Sequence, residues 1–254
     1  MCVLPSANKP KQILALLALA GGEGVSIPDL IQELWGTNPP RSAHNTLQTY
    51  ILRLRRKLDA ALSTDGVTRP KDVLVTFYRG YRLNLEQDEL DAHGFEHKVR
   101  AGRLAAESGD DENASRLLEE ALGQWTGPAL ADIPTGCILG AEARRLEENR
   151  LTALEQRLEA DLRLGRHHQI LGQLTSLTAH HPLNENLHAL HMVALHRSGR
   201  AGEALRVFIQ LRDSLVNELG MEPSHRLQRL QQAVLLADPV LDSRECLSDA
   251  LAKA

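Results

Sequence analysis

The spacing of apolar residues in the first part of the chain predicts a series of helices. Ile13, Leu16, Leu17 and Ala20 recur at helical intervals, so a first helix is expected from Lys9 to the two glycines at 21–22. This stretch lacks the layout of a signal peptide, and it is therefore predicted to be a core helix.

A second, shorter helix is expected after these glycines. Ser26 followed by Ile27-Pro28 and Asp29 is typical of a helix N-terminus, because serine caps the first turn and proline tolerates it. The helix is expected to end near Leu34, before a proline-containing turn at residues 38–40.

A long third helix is predicted from Ser42 to Leu62. Its apolar residues form one stripe that faces the core: Leu47, Ile51, Leu54, Leu58 and Leu62. The sequence from Arg41 to Leu58 contains five basic residues and no acidic one. A solvated helix face normally mixes the two signs, so this face indicates a polyanionic partner.

The pattern then changes from helix to strand. Residues 63–72 are predicted to be a loop by composition. From Val73 to Leu85, β-branched and aromatic residues flank a tight Arg79-Gly80 turn, which predicts a β-hairpin. Two strands are marginal by themselves, so the hairpin is expected to pack on a neighbouring element.

After about Glu86 the pattern is helical throughout. The expected helices cover residues 91–108, 111–125, 138–164, 167–180, 184–198, 201–219 and 224–237. Gly102, Ala114, Leu118 and Ala121 match the small packing positions of a tetratricopeptide repeat, but Met192 stands where that pattern has glycine. We therefore predict a degenerate tetratricopeptide-like array, which presents a surface for partners.

These patterns predict a mainly α fold with two domains. Residues 1–86 are expected to form a winged helix-turn-helix with a C-terminal β-hairpin wing, residues 91–237 an all-helical tetratricopeptide-like domain, and residues 238–254 a tail.

Composition and charge refine this division. Aromatic residues make up only 3% of the chain, so the cores are expected to consist of Leu and Ala. Residues 1–85 carry 11 Lys/Arg and 6 Asp/Glu, whereas residues 86–254 carry 18 and 27, so only the first part suits nucleic acid.

No apolar run reaches the roughly 18 residues of a membrane span. The three scattered cysteines argue against disulfides and zinc thiolates and suit a reducing cytoplasm: Cys2, Cys137 and Cys246.

The outer face of the third helix has the chemistry of a DNA major-groove reader. A B-DNA major groove admits one α-helix, whose outward side chains reach the base edges. Asn45 and Gln48 offer the donor and acceptor that match adenine, and Arg53 and Arg56 suit guanine or phosphate.

Two further groups extend this candidate DNA surface. Thr46 and Thr49 suit phosphate or a thymine methyl, and Arg79 in the hairpin is expected along the backbone or in the adjacent minor groove. A basic run by itself is usually only a solvated face. The order of short helix, long basic helix and hairpin is considerably more specific for DNA binding.

Seven segments resemble known bacterial regulators. Three are similar to the OmpR/PhoB-type winged helix: LIQELWG (30–36), LQTYILRLRRKL (47–58) and LVTFYRGYRL (74–83). Four are similar to the bacterial transcriptional activation domain: ALGQWTGPALADI (121–133), LTALEQRLEADLRLGRH (151–167), HPLNENLHALHMVALHRSGRAGEAL (181–205) and ELGMEPSHRLQRLQ (218–231). The pairing is typical of the Streptomyces antibiotic regulatory protein family, and the resemblance covers about residues 9–237.

The resemblance implies a sequence-specific activator of an antibiotic or other secondary-metabolite gene cluster. Such a protein binds direct repeats in double-stranded promoter DNA, as a homodimer or as tandem copies, and recruits RNA polymerase holoenzyme through contacts that include the sigma factor. The recognition helix would run from Ala43 to Leu58, with Arg79 in the wing. The expected location is the cytoplasm, with the nucleoid.

The sequence departs from the family pattern at two places. Leu52 lies where a polar or basic contact is common, and it either touches a thymine methyl or loses that contact. Only eight residues precede Lys9, where family members usually begin with a small antiparallel sheet. Either this sequence starts downstream of the usual family start, or the sheet is missing. In the second case the wing loses a packing partner, which would weaken DNA binding.

Other functions were weighed against this one. The chain contains no GxSxG, Walker or strand-linked GxGxxG motif, so neither an enzyme nor a cofactor is predicted. His188, His191 and His196 share one helix, but the absence of a supporting cysteine or HExxH motif favours polar, partly exposed positions over a metal site. A helical-repeat interaction module with weak or lost DNA binding, or a repressor of the same fold, remains an alternative.

Overall fold

A computed structural model describes residues 5, 7–62, 70–84 and 90–243. Packing divides the chain into a first unit, residues 1–98 and 121–151, and a second unit, residues 99–120 and 152–254. Most of the predicted loop, Leu85 at the hairpin end, Cys2, Cys246 and the tail beyond residue 243 lie outside the described residues. The domain boundaries expected from sequence stay a prediction.

The first three helices form where the apolar spacing predicts them. They are α1 (Asn8–Leu19), α2 (Ile27–Trp35) and α3 (Ala43–Leu62), and they pack against one another in the first unit. Ser26 caps α2 as expected, because its Oγ accepts a hydrogen bond from the Asp29 backbone N–H at 3.2 Å. This capping fixes where α2 begins.

The predicted apolar stripe of α3 faces the core. Leu47, Ile51 and Leu54 are 1%, 2% and 3% exposed, and Leu58 is half-buried beside them. The Leu62 side chain lies outside the described residues. Burying three such side chains stabilises the unit by about 1.5–3 kcal/mol each, and it fixes which face of α3 turns outward.

The predicted hairpin is part of a three-stranded antiparallel sheet. Its strands are β2 (Leu74–Phe77) and β3 (Gly80–Leu83), and the short β1 (Val25–Ser26) pairs with β3, giving the order β1-β3-β2. Strand β1 was not predicted, because two residues carry no periodicity. A Cβ on Gly80 would lie 2.0 Å from the Val25 carbonyl oxygen, so this pairing requires glycine there.

Two details of the hairpin prediction are wrong. The register pairs Phe77 with Gly80, so the turn is centred on Tyr78-Arg79, one residue earlier than expected. The end of the predicted loop is a short helix, α4 (Pro70–Val73), which runs directly into β2. Proline suits the first position of a helix, whereas composition alone indicated a loop.

The remainder of the described chain is helical apart from short turns and the segment 123–136, and each predicted helix ends within three residues of its observed bounds. The helices are α5 (Asp91–Glu107), α6 (Asp111–Leu122), α7 (Cys137–Arg163), α8 (His167–His180), α9 (Glu185–Arg197), α10 (Ala201–Leu219) and α11 (His225–Leu235), followed by a 3₁₀ turn, Pro239–Asp242. The predicted mainly α fold class is confirmed.

The second unit has the packing of a helical repeat array. Helices α8 to α11 pack each on the next in chain order. Gly102 is buried, and a Cβ there would lie 2.8 Å from Leu118 Cγ, which explains its match to a small packing position. Within the described ranges, no helix combines the length and apolar character that a membrane-spanning segment needs.

Candidate nucleic-acid interface

The outward face of α3 presents most of the residues that the sequence predicted for DNA. Asn45, Gln48 and Thr49 are exposed on its first turns, whereas Thr46 is half-buried. The Thr49 hydroxyl donates to the Asn45 carbonyl oxygen at 2.9 Å, so its methyl group is the part that is turned away from the backbone. The polar amides of Asn45 and Gln48 therefore lie on one open surface.

Arg53 and Arg56 continue this surface along α3. Both are exposed, and among the residues that the structure describes neither forms a hydrogen bond or an ion pair. Guanidinium groups in this state keep all five N–H donors for a carboxylate, phosphate or guanine partner. We call the surface of Asn45, Gln48, Thr49, Arg53 and Arg56 the α3 outer face.

Apolar groups interrupt the α3 outer face and the tip of the wing. Leu52 is 50% exposed among the polar side chains, and Tyr78 at the turn of the hairpin is 91% exposed. The Arg79 guanidinium carbon lies 5.4 Å from the centroid of the Tyr78 ring, a cation–π distance. The wing tip thus presents an arginine and an aromatic ring together.

Arg55 has a different role from its neighbours on α3. Its Nε and Nη2 donate to the Leu74 carbonyl oxygen at 3.0 and 2.7 Å, and Nη2 also donates to Thr76 Oγ1 at 2.7 Å. These bonds fix strand β2 against α3, while β1 pairs with β3 on the other side. The wing therefore has packing partners among the described residues, against the second of the two alternatives drawn from the short N-terminus.

A buried carboxylate holds part of the helical region inside the first unit. Glu33 on α2 is 3% exposed, and it accepts backbone N–H bonds from Gly136 at 2.5 Å, Ile138 at 2.9 Å and Leu139 at 3.1 Å. These amides belong to the first turn of α7, where the helix dipole favours a negative charge. Leu139 is fully buried in the same core as the α3 stripe.

The family models and the relatives that match this chain agree on one protein family. Residues 4–83 match the family model described as "Transcriptional regulatory protein, C terminal", and residues 90–235 match "Bacterial transcriptional activator domain". The chain is 52% identical to Regulatory protein DnrI of Streptomyces peucetius over 240 residues, which cover 94% of this chain and 88% of that protein. The chain belongs to the Streptomyces antibiotic regulatory protein family.

Other relatives of this antibiotic regulatory family are longer. Regulatory protein AfsR of Streptomyces griseus is 39% identical over 94% of this chain, which spans only 23% of AfsR. A solved structure of Mycobacterium tuberculosis EmbR in complex with a low-affinity phosphopeptide superposes with a TM-score of 0.89 at 30% identity, covering 98% of this chain and 64% of that one. This regulator therefore shares its two-part architecture with proteins that carry further segments.

Two of the three histidines on α9 of this antibiotic regulator are buried, contrary to the sequence expectation. His188 and His191 on α9 are 4% and 6% exposed, and the His188 Nδ1 lies 2.8 Å from the Asn184 carbonyl oxygen. Burial, reinforced by His188 and Arg200, lowers the pKa of His191 to about 4. Among the described residues, no three His, Cys, Asp or Glu side chains are grouped as metal ligands.

Sequence reasoning missed the roles of two residues at this interface. Arg55 lies in the same basic run as Arg53 and Arg56, but its half-buried position against β2 makes it a structural residue. Tyr78 was assigned to a strand, and the turn shift moves it to the tip. These roles follow from two contacts that periodicity does not show: the bonds from Arg55 to β2 and the Phe77–Gly80 pair at the end of the hairpin.

Proposed function

We propose that this chain is a sequence-specific, double-stranded DNA-binding activator of a secondary-metabolite gene cluster. The α3 outer face would enter the major groove, where Asn45 and Gln48 read adenine and Arg53 and Arg56 bind guanine or phosphate. Arg79 would contact the backbone or minor groove beside it. A protein bound to chromosomal DNA is also expected with the nucleoid.

One observation carries this proposal. The apolar stripe of α3 is buried, and Arg53 and Arg56 on the opposite face have no partner within the described part of the chain. A helix that served only to build the fold would gain from i,i+4 carboxylates on that face, which α3 lacks before Asp59. Unpaired guanidinium groups suit contact with phosphate, and the exposed amides beside them suit hydrogen bonding to base edges.

Binding by the full-length chain to a promoter duplex tests the DNA-binding part. Fluorescence anisotropy across a salt series should give a slope of about −0.9 per phosphate contact. Gln48→Ala and Arg53→Ala should each weaken binding to the footprinted site by about 1–3 kcal/mol, or roughly 5- to 150-fold, and have less effect on random DNA. Equal losses on both duplexes would show phosphate contact without base reading.

The full-length chain is used because a fragment ending near residue 90 would lack part of the first core. Leu139 would be missing, and the Glu33 carboxylate would remain without its three amide donors. Arg103→Ala is the matched control, since Arg103 is an exposed arginine of the second unit. Binding by the wild type that is absent or independent of salt would favour the interaction-module alternative.

The activation part of the proposal concerns partners and copy number. As in the family pattern, we expect two copies on direct repeats, side by side or as a homodimer, and contact with RNA polymerase holoenzyme including its sigma factor. Transcription in vitro from the footprinted promoter with purified holoenzyme should increase when the full-length chain is added, and Gln48→Ala should abolish the increase. A decrease in transcript would identify a repressor.

A further inference from the structure

Leu52 is a half-exposed leucine among the polar residues of the α3 outer face. The sequence left two roles for it, contact with a thymine methyl or the loss of a polar contact. Single exposed leucines are ordinary on protein surfaces, so exposure alone assigns no partner to Leu52. Its place on the helix and the chemistry of its neighbours decide between the two roles.

Leu52 lies in the middle of the α3 outer face. Residues three or four positions apart are neighbours on an α-helix, so Leu52 lies between Gln48 and Arg56, with Thr49 beside it. All three neighbours are exposed, and the buried stripe of α3 faces the opposite way. When a helix enters a major groove, the middle of its outer face comes nearest to the base edges. Leu52 is therefore placed to meet a base.

The surface around Leu52 is a small apolar area inside a polar one. The Thr49 hydroxyl already donates to the Asn45 carbonyl oxygen at 2.9 Å, so the Thr49 methyl adds to the apolar area of Leu52. Gln48 and Arg56 supply hydrogen-bonding groups on either side. The partner that fits this arrangement presents one apolar group flanked by polar or charged ones.

Thymine is the base that presents a methyl group in the major groove. Guanine, adenine and cytosine offer hydrogen-bond donors and acceptors there, whereas thymine offers an acceptor and its C5 methyl. A leucine against a donor or an acceptor would displace water without replacing its hydrogen bond, which is unfavourable. The absence of acidic residues between Arg41 and Leu58 suits a partner that is also a polyanion.

We propose that Leu52 contacts the C5 methyl of one thymine in each DNA repeat that this chain binds. The α3 outer face then combines an apolar contact with the hydrogen bonds of Asn45 and Gln48, and Leu52 makes thymine the preferred base at its position. This inference rests on the proposed function, since it requires α3 to lie in a major groove. It adds a specificity-determining residue that acts without a hydrogen bond.

Deoxyuridine substitution tests this contact, because it removes the thymine methyl and keeps the base pair and the O4 acceptor. Each thymine of the footprinted promoter duplex is replaced in turn, and binding of the full-length chain is measured by fluorescence anisotropy. We expect about a fourfold loss of affinity at one thymine of each repeat, the factor that burial of one methyl group provides, and smaller losses elsewhere.

Three variants assign the methyl contact to a side chain. Leu52→Ala should bind the thymine and deoxyuridine duplexes equally at that position, whereas Leu52→Met, which keeps an apolar side chain, should retain the preference for thymine. Thr49→Ser is the matched control, because it removes the neighbouring methyl and keeps the hydroxyl that bonds to Asn45. Whatever its overall affinity, Thr49→Ser should keep the fourfold loss. A fourfold loss that persists in Leu52→Ala would overturn the assignment, since DNA shape or another side chain would then sense the methyl.

Two further outcomes distinguish failure of this contact from failure of DNA binding. Specific, salt-dependent binding with no deoxyuridine effect at any thymine would overturn the role of Leu52 and leave the proposed function intact. Absence of binding to the promoter duplex by the folded wild-type chain would overturn both. Because Leu52 is half-exposed, Leu52→Ala should melt at the temperature of the wild type, which would show that its altered preference is not caused by unfolding.

Discussion

Two arginines on α3 of this regulator and two arginines of its second unit differ in their partners. On α3, Arg53 and Arg56 are exposed and have no ion-pair partner within the described ranges. In the second unit, Arg163 contacts Asp111 at 3.2 Å and also pairs with Glu159, and Arg166 contacts Asp161 at 3.2 Å. The two arginines on α3 stay open, whereas these two arginines of the second unit are satisfied internally.

This contrast indicates different partners for the α3 outer face and for the paired arginines of the second unit. A guanidinium that is already paired gains little from a phosphate, since it must first give up its carboxylate. The second unit also buries Asp161, which accepts a hydrogen bond from Ser115 Oγ at 2.7 Å. These paired groups thus stabilise the helical scaffold of the second unit, whereas Arg53 and Arg56 keep their donors for the DNA contact that we propose.

Opposite faces of α3 should respond very differently to the same substitution. Leu54→Asp places a charge in the buried stripe and is expected to destabilise the first unit by about 3–5 kcal/mol. Leu52→Asp, on the half-exposed side, should change stability by no more than about 0.5 kcal/mol while weakening DNA binding. Thermal melting by circular dichroism measures the stability of both variants, and equal melting temperatures would contradict the helix register.

The second unit should lose stability in mild acid through His191. Its pKa is about 4 in the folded chain and about 6.5 when unfolded, so between these values only the unfolded chain binds the proton. Above about pH 6.5 the histidine is neutral in both states and costs no stability. As the pH decreases, the free energy of unfolding falls, by up to about 3 kcal/mol near pH 4. Urea denaturation at several pH values should show this slope.

His191→Gln should remove the His191 part of that slope, whereas His188, whose pKa burial also lowers, keeps its own part. His180→Gln is the matched control, because His180 is exposed on α8 and has only a local bond to the Ser176 carbonyl oxygen. Carboxylates also titrate in this range, so the informative quantity is the difference between each variant and the wild type. A slope that persists unchanged in His191→Gln would show that other groups account for the acid sensitivity.

The first unit also contains one charge that is fully satisfied, and its removal should be costly. Glu33→Gln replaces a carboxylate that accepts three backbone amides with a group that has one acceptor oxygen, so we expect a loss of about 2 kcal/mol. Glu147→Gln is the control, because Glu147 accepts only one backbone N–H, from Ala129 at 2.7 Å. Equal losses in urea denaturation would contradict the capping role of Glu33.

The sequence predicted most of the fold because the fold follows from periodicity. The α3 stripe, the hairpin and the seven later helices all repeat apolar residues at regular intervals. Features that depend on long-range contacts were not predictable in this way. Strand β1 exists only through its pairing with β3, and Glu33 is buried only because the first turn of α7 lies against it.

The candidate site shows the same limit within one helix. Periodicity assigned Arg53 and Arg56 to the α3 outer face, where the structure has them exposed. It placed Arg55 beside that face but did not predict its structural role, because a helical repeat cannot show that strand β2 lies within reach of its guanidinium. The buried histidines of α9 were mistaken for partly exposed ones for the same reason, since α8 covers them.

Neighbouring arginines on α3 provide the finest test of the contrast between satisfied and open cations. Arg55→Ala removes the bonds to the Leu74 carbonyl and Thr76, so we expect a loss of about 1–2 kcal/mol and faster hydrogen exchange in β2 and β3. Arg56→Ala should leave stability and exchange unchanged and reduce DNA affinity alone. If Arg56→Ala also accelerated exchange in the wing, Arg56 would be a structural residue, and the α3 outer face would be reduced to Arg53, Thr49 and the two amides.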